Sequence, residues 1–102
     1  MERVDMLKQA VAGNPEDAFA RYGLAMEYSK AGHIDLALQE FATLLQKTPD
    51  YTAGYFMAAQ TLAKAGRADE ARRMLGDGIA SATRTGNAHA KGEMEDMLGE
   101  LG

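Results

Sequence analysis

The chain's two prolines, Pro15 and Pro49, stand 34 residues apart, and the same interval relates much of the remaining sequence. A shift of 34 positions places segment 30–32 on segment 64–66, and both read Lys-Ala-Gly. Large apolar residues keep this register, as in the two sets Leu7, Phe41, Leu75 and Val11, Leu45, Ile79. A repeat of this length is typical of stacked helix pairs, in which each unit buries its apolar face against the next.

The repeat divides the 102 residues of this single domain into four parts. We predict a half repeat over residues 1–17, full repeats over 18–51 and 52–85, and a capping helix within 86–102. About three repeat units are needed to bury a continuous core. The half repeat and the capping helix, added to the two full repeats, reach this number. The predicted fold class is all-α, with about six helices in total, two of them in each full repeat, and no strand.

Proline marks the predicted start of the first helix in each full repeat. In Asn14-Pro15 and Thr48-Pro49 a capping residue precedes a proline, and proline is favoured at the first helical position. We therefore expect helices to begin at both prolines. Three further helices follow from apolar periodicity, over about Ile34 to Lys47, Ala68 to Gly86 and Asn87 to Leu101.

Glycines mark the predicted helix ends. Gly32 and Gly66 follow lysine-alanine pairs, and glycine readily adopts the left-handed conformation that ends a helix. Gly76 and Gly78 instead fall inside a predicted helix. Because glycine destabilises a helix interior relative to alanine, we expect a neighbouring helix to approach closely at both positions.

The last predicted helix is amphipathic. Its expected inward residues are Ala90, Met94, Met97, Leu98 and Leu101, and its polar side carries His89, Glu93, Asp96 and Glu100. A terminal helix with one polar side is typical of the cap that closes a repeat array.

Together these residues resemble the tetratricopeptide repeat family, and the resemblance covers nearly the whole chain. The positions that carry it are Leu24, Ala25, Tyr28, Gly32, Ala37, Phe41 and Pro49 in the first repeat, and Ala59, Gly66 and Ala71 in the second. The chain departs from the family pattern at Arg21, Leu44, Ala58, Gly78 and Thr83. The resemblance implies a right-handed stack of antiparallel helix pairs, of the kind found in small stand-alone bacterial proteins.

The resemblance also implies a site. In this family the first helix of each pair lines a concave groove, which here would present Phe19, Tyr22, Met26, Lys30, Phe56, Met57, Gln60 and Lys64. The expected function is non-catalytic binding of a peptide or protein segment, mainly through apolar contacts, with Lys30 and Lys64 attracting nearby acids. The lysine and asparagine that clamp acidic chaperone tails in some members are absent, since Tyr22, Met26 and Met57 stand at matching positions.

Two alternatives remain open from the sequence. Aromatic and methionine residues at helical spacing are also typical of a core, so the proposed groove residues fit either environment. The groove or a terminal helix could also meet its copy in a second chain, which would make the protein a structural, self-associating unit with a weak homodimer and no external ligand.

Composition excludes several other classes of function. A net charge of −4 argues against nucleic acid as a partner. Cysteine is absent, so disulfides, thiolate metal sites and cysteine nucleophiles are excluded. The longest apolar runs are too short to span a membrane, and the first residues lack signal-peptide features, so a cytoplasmic location is expected.

No catalytic or metal-binding constellation is evident either. His33 and His89 lack partners at spacings typical of catalysis or metal binding, and adjacent acidic residues point in different directions on a helix. We therefore predict no enzyme activity, no metal and no cofactor. The second repeat is locally basic through Lys64, Arg67, Arg72, Arg73 and Arg84. Interleaved acids favour a solvated face there, and a patch for an acidic partner is the alternative.

Overall fold

The computed structural model describes residues 2–102, and within them it contains helices and turns but no strand. This confirms the predicted all-α class. The six helices are α1 (Glu2–Gly13), α2 (Ala18–Lys30), α3 (Ile34–Lys47), α4 (Thr52–Lys64), α5 (Ala68–Thr85) and α6 (Ala88–Leu101). None of these helices is both long enough and apolar enough to cross a membrane.

The helices pack in chain order, so that each contacts the next one along the chain. In addition, α2 contacts α4 and α4 contacts α6. The even-numbered helices therefore form one layer and the odd-numbered helices the other. We call the exposed side of the first layer the α2–α4–α6 face.

Small residues allow paired helices to approach closely, and larger ones fill the spaces between pairs. Ala25, Ala37, Ala59 and Ala71 are completely buried. The largest fully buried side chains are Phe41, Leu44, Leu75, Met94 and Ser81. The two alanine pairs, and Phe41 with Leu75, are related by the 34-residue shift and are buried alike.

The predicted helix starts at the two prolines are wrong by three residues. Asp17 caps α2, because its carboxylate accepts a hydrogen bond from the Ala20 amide at 3.0 Å. The Asp17 amide in turn donates to the Asn14 carbonyl at 3.0 Å, and the Tyr51 amide donates to the Thr48 carbonyl at the same distance. Each proline therefore occupies the second position of a turn, which suits its fixed φ as well as a first helical position does.

The predicted helix ends are confirmed. Gly32 and Gly66 have φ of 82° and 78°. After each of them the next amide donates to a carbonyl five residues back, at 2.9 Å from His33 to Tyr28 and from Arg67 to Leu62. The left-handed conformation of glycine lets the following amide donate to a carbonyl that the helix end would otherwise leave unpaired. Gly86, with φ of 70°, ends α5 in the same way.

Of the two glycines inside α5, only Gly78 meets a close neighbour. A Cβ atom there would lie 2.5 Å from Met94 Sδ and 2.6 Å from Tyr55 Cβ, so Gly78 allows α4, α5 and α6 to meet. Gly76 has no atom within 4 Å of its equivalent position. The expectation of a close approach is therefore confirmed for Gly78 and wrong for Gly76, which lies on the exposed side of α5.

Arg21, which departs from the family pattern, is buried between α2 and α3. Its guanidinium donates to Glu40 Oε1 at 2.8 Å and to the Pro15 carbonyl at 3.2 Å. Two pairs of hydroxyls link helices of the stack: Ser29 of α2 lies 2.8 Å from Thr61 of α4, and Thr52 of α4 lies 2.9 Å from Ser81 of α5. In the described residues no buried side-chain nitrogen or oxygen lacks a hydrogen-bond partner.

Candidate functional site

The α2–α4–α6 face contains three cavities that share lining residues. The first has a volume of about 260 Å³, lies against α1 and α2, and is lined by Arg3, Leu7, Phe19, Tyr22, Gly23, Met26, Glu27 and Lys30. It therefore brings together four predicted site residues, Phe19, Tyr22, Met26 and Lys30. Phe19 is the most exposed large apolar residue of the described chain, at 76%.

The other two cavities lie between α4 and α6. One measures about 240 Å³ and is lined by Tyr22, Thr52, Ala53, Phe56, Met57, Asn87, His89, Ala90 and Glu93. The other measures about 310 Å³ and is lined by Phe56, Gln60, Glu93, Asp96, Met97 and Glu100. Because both include Phe56 and Glu93, they form one continuous depression, which we call the α4–α6 trough.

The predicted site residues divide between these cavities. Tyr22 borders the first cavity and the trough and so connects them, whereas Lys64 lines none of the three. Tyr22, Met26, Phe56 and Met57 are half-buried. Each of these side chains packs against the core and also lines a cavity, so it has both of the environments that the sequence left open.

Aromatic packing links the first cavity to the start of α4. The rings of Tyr22 and Tyr51 have centroids 5.3 Å apart and are tilted by 45°. Burial raises the pKa of both phenols, and for Tyr51 the nearby Tyr22 and Asp17 raise the pKa further. Both rings therefore stay neutral near pH 7 and present apolar surface together with a hydroxyl donor.

Sequence patterns alone do not identify α6 as part of the site. The polar side of α6 carries His89, Glu93, Asp96 and Glu100, and all four line the trough. Their spacing placed them on one side of the helix, but the sequence alone could not show that this side faces Phe56 and Gln60 across the trough. The inward residues were predicted correctly, since Met94 is fully buried and Ala90, Met97, Leu98 and Leu101 pack around it.

The lysines and arginines of the molecule are largely paired with carboxylates. Lys30 Nζ lies 3.6 Å from Glu27, which also pairs with Arg3 at 3.1 Å. In the second repeat Arg67 contacts Glu70 at 2.8 Å, and Arg84 contacts Asp50 at 2.8 Å. Three of the five basic residues of that segment, Arg67, Arg72 and Arg84, are therefore ion-paired, whereas Lys64 and Arg73 have no carboxylate within 4.0 Å in the described residues.

Both histidines are exposed and lie near the starts of helices. His33 is exposed in the turn before α3, and its ring meets the edge of Tyr28 at 6.4 Å. His89 is exposed in the first turn of α6, with Nε2 3.5 Å from Glu93 Oε1. Over residues 2–102 no group of three histidine, cysteine or acidic side chains is arranged to hold a metal ion.

A fourth cavity, of about 640 Å³, lies where α4 begins and α5 ends. It is lined by Asp50, Tyr51, Thr52, Ala53, Thr85, Gly86 and Asn87. Thr52, Ala53 and Asn87 also line the trough, so this cavity is an open extension of it at the edge of the stack.

Comparison with protein families places this geometry in context. The family model described as tetratricopeptide repeat matches residues 28–91, more than half of the chain. A TPR repeat-containing protein of Pseudomonas aeruginosa is 28% identical over 98 residues, which are 96% of this chain and 93% of that protein.

Solved structures show the same architecture. The solution structure of a tetratricopeptide repeat domain protein from Salinibacter ruber is 31% identical, with a TM-score of 0.80 over 86% of this chain and 89% of that one. The crystal structure of PcrH in complex with the chaperone-binding region of PopD has a TM-score of 0.88 at 18% identity. It covers 96% of this chain and 74% of that one, and at this identity it shows similarity of fold.

Proposed function

Because the chain belongs to the tetratricopeptide repeat family, we propose that it is a non-catalytic module that binds an extended or helical segment of a partner protein on the α2–α4–α6 face. Proteins of this family are generally interaction modules without catalytic activity. PcrH, which shares the fold, has been crystallised with a binding region of its partner PopD. The relatives from Pseudomonas and Salinibacter are bacterial. A cytoplasmic location remains part of the proposal, and cell fractionation tests it.

One observation carries this proposal: half-buried aromatic and methionine side chains line connected cavities along one layer of helices. Phe19, Tyr22 and Phe56 offer a large contact area at a low cost in side-chain entropy. Met26 and Met57 can adapt to irregular partners because their side chains are unbranched and flexible. With a surface built from only three helices of one layer, we expect an affinity of about micromolar.

The experiment uses a partner identified by pull-down from the source cell and mapped to its shortest binding segment. Calorimetry then compares wild type with the variants Tyr22→Ala and Phe56→Ala, and with Gln39→Ala as a control. Gln39 is exposed on α3 and lines none of the cavities. We expect the two aromatic variants to bind at least about tenfold more weakly and the control to bind normally. Folded aromatic variants that bind like wild type would rule out this face as the site.

Self-association is the second candidate function, and exposed apolar residues near the start of the chain favour it. Met6 is 69% exposed on α1, and Phe19 lies on the neighbouring α2. A second copy that covered both residues would remove apolar surface from water. Sedimentation over a hundredfold dilution decides between the two functions. A mass that falls on dilution supports a homodimer, whereas a constant monomer mass supports an external partner.

A further inference from the structure

We propose that the α4–α6 trough selects partner segments in which lysine or arginine residues stand next to apolar anchors. This inference rests on the proposed function and specifies the chemistry of the partner. It departs from the expectation that Lys30 and Lys64 would attract acidic residues, because the trough itself is bordered by carboxylates.

The trough combines an apolar floor with an acidic wall. Phe56, Met57, Ala90 and Met97 supply apolar surface along α4 and α6. The α6 side adds three exposed carboxylates, those of Glu93, Asp96 and Glu100. In the described residues no lysine or arginine nitrogen lies within 4.0 Å of these carboxylates, and the only near neighbour that can carry positive charge is His89.

This lack of pairing distinguishes the trough from much of the remaining surface. Elsewhere in the described part of the chain, seven carboxylates lie within 4.0 Å of a lysine or arginine nitrogen: Glu16, Glu27, Asp35, Glu40, Asp50, Asp69 and Glu70. By contrast, α6 carries four carboxylates and a single lysine, Lys91, which does not line the trough. The negative potential along the trough is therefore uncompensated by the protein, and an incoming cation would complement it.

The spacing of the wall constrains the occupant. Glu93, Asp96 and Glu100 follow one side of α6 at helical intervals, so at 1.5 Å per residue they extend along about 10 Å of the helix axis. Lysine and arginine can lay their aliphatic stems on the apolar floor while their charged ends reach this wall. A segment with two basic residues separated by about 10 Å and apolar residues between them would satisfy both surfaces.

The same charges disfavour a second copy of this chain as the occupant. A symmetric dimer through the trough would bring the acidic wall of one copy against that of the other. An asymmetric contact would have to use Lys8, Lys64, Arg73 or Lys91, because the other lysines and arginines of the described residues contact carboxylates of their own chain. These four residues lie on four different helices and do not form a compact basic segment. An external basic segment therefore fits this trough better than self-association does.

The test selects peptides from a random library displayed on phage, using the full chain as bait. Clones are retained if they bind wild type and lose binding to Phe56→Ala. Because Phe56 also packs on the core, the variant Ala53→Gln provides a second filter. Ala53 is exposed in the trough, so the longer side chain obstructs it without removing buried packing. We expect the retained peptides to be enriched in lysine and arginine next to leucine, phenylalanine or methionine.

Two matched triple variants then isolate the role of the wall. The trough variant removes the three carboxylate charges of the wall by combining Glu93→Gln, Asp96→Asn and Glu100→Gln. Asp5→Asn, Asp77→Asn and Glu95→Gln together remove the same total charge from exposed positions that line none of the cavities and lack a lysine or arginine within 4.0 Å. We expect a selected peptide to bind about tenfold more weakly to the trough variant than to the control variant. Raising the salt concentration to about 0.5 M should reduce this difference.

The outcomes separate this inference from the function on which it rests. Trough-dependent peptides without a basic bias, or with equal affinity for the two triple variants, would overturn the inference and leave the proposed function standing. Enrichment of acidic peptides would also overturn it. If no selected peptide loses binding to Phe56→Ala or Ala53→Gln, the trough is not a binding site and the inference fails, whereas the proposed function fails only if binding also survives Tyr22→Ala at the first cavity.

Discussion

Glycines at four positions show how single residues determine the geometry of the stack. Gly32 and Gly66 end helices at positive φ, whereas Gly78 makes room for Tyr55 and Met94. The sequence predicted the first two because the Lys-Ala-Gly pattern recurs at the repeat interval. It could not distinguish Gly78 from Gly76, because the difference depends on which side of α5 meets α6.

This difference gives a prediction for two positions on one helix. Gly76→Ala should raise the free energy of unfolding by about 0.5–1 kcal/mol, because alanine is the better helix former and the site has open space. Gly78→Ala should lower it by about 1–3 kcal/mol, because the added methyl group overlaps Met94 and Tyr55. Urea denaturation of both variants measures the effects, and a stable Gly78→Ala protein would contradict the close packing described here.

The helix-ending glycines give a second prediction. Nothing lies within 4 Å of a Cβ atom at Gly32 or Gly66, so a substitution there tests backbone conformation alone. Gly32→Val and Gly66→Val should each destabilise the protein by at least about 1 kcal/mol, since a β-branched residue is strained at positive φ. Thermal or urea denaturation provides the measurement. Wild-type stability in both variants would mean that these helices can end in another way.

Tyr55 gives a prediction about pH. Its hydroxyl donates to the Pro49 carbonyl at 2.7 Å, and burial raises the pKa of the phenol, with Arg84 partly opposing the shift. The folded state therefore favours the protonated phenol, so this contribution is complete below about pH 10 and is lost as the pH rises above it.

Removing the Tyr55 hydroxyl should separate the contribution of this phenol to the pH dependence of stability from the contributions of other titrating groups. Tyr55→Phe should cost about 1 kcal/mol near pH 8, because the hydrogen bond is lost. The free energy of unfolding of Tyr55→Phe should also decline less than that of wild type between about pH 8 and pH 10.5, because the variant has no phenol to ionise at this position. Urea denaturation at both pH values makes the comparison, and parallel declines of the two proteins would show that the phenol does not couple to folding.

At the scale of whole helices, α6 has two roles. Its apolar side covers α5 through Met94, and its polar side borders the trough through Glu93 and Asp96. The sequence predicted the first role from the inward apolar residues. The second depends on the packing of α6 beside α4, which brings the polar side of α6 to the trough. Periodicity shows which residues share a side of a helix, but not what lies opposite.

The covering role predicts the effect of removing the helix. Deletion of residues 87–102 should expose the α5 residues around Leu75 and Ala82, which are buried in the intact chain. We expect the truncated protein to dimerise or aggregate and to melt at a lower temperature, because the ends of a repeat array need a polar outer surface. Sedimentation and thermal melting test this, and a monomer with an unchanged melting temperature would show that α6 is not a cap.

At the scale of the whole molecule, the 34-residue interval determines the architecture. It predicted the number and order of the helices, because both follow from repeating one helix pair. It did not predict the helix starts, because Pro15 and Pro49 suit both a turn and a first helical position. Nor did it predict the acidic wall, which arises only when α6 and α4 are brought together.

The most direct test of the central claim, that partner segments bind on the α2–α4–α6 face, is NMR of methionine methyl groups. Met26, Met57 and Met97 line the cavities of this face, whereas Met94 is fully buried and Met6 is exposed on α1. On titration with a bound segment, we predict that the largest shifts occur at one or more of Met26, Met57 and Met97, with Met6 unchanged. Shifts confined to Met6, or no shift at the three face methionines when binding is saturated, would contradict the claim.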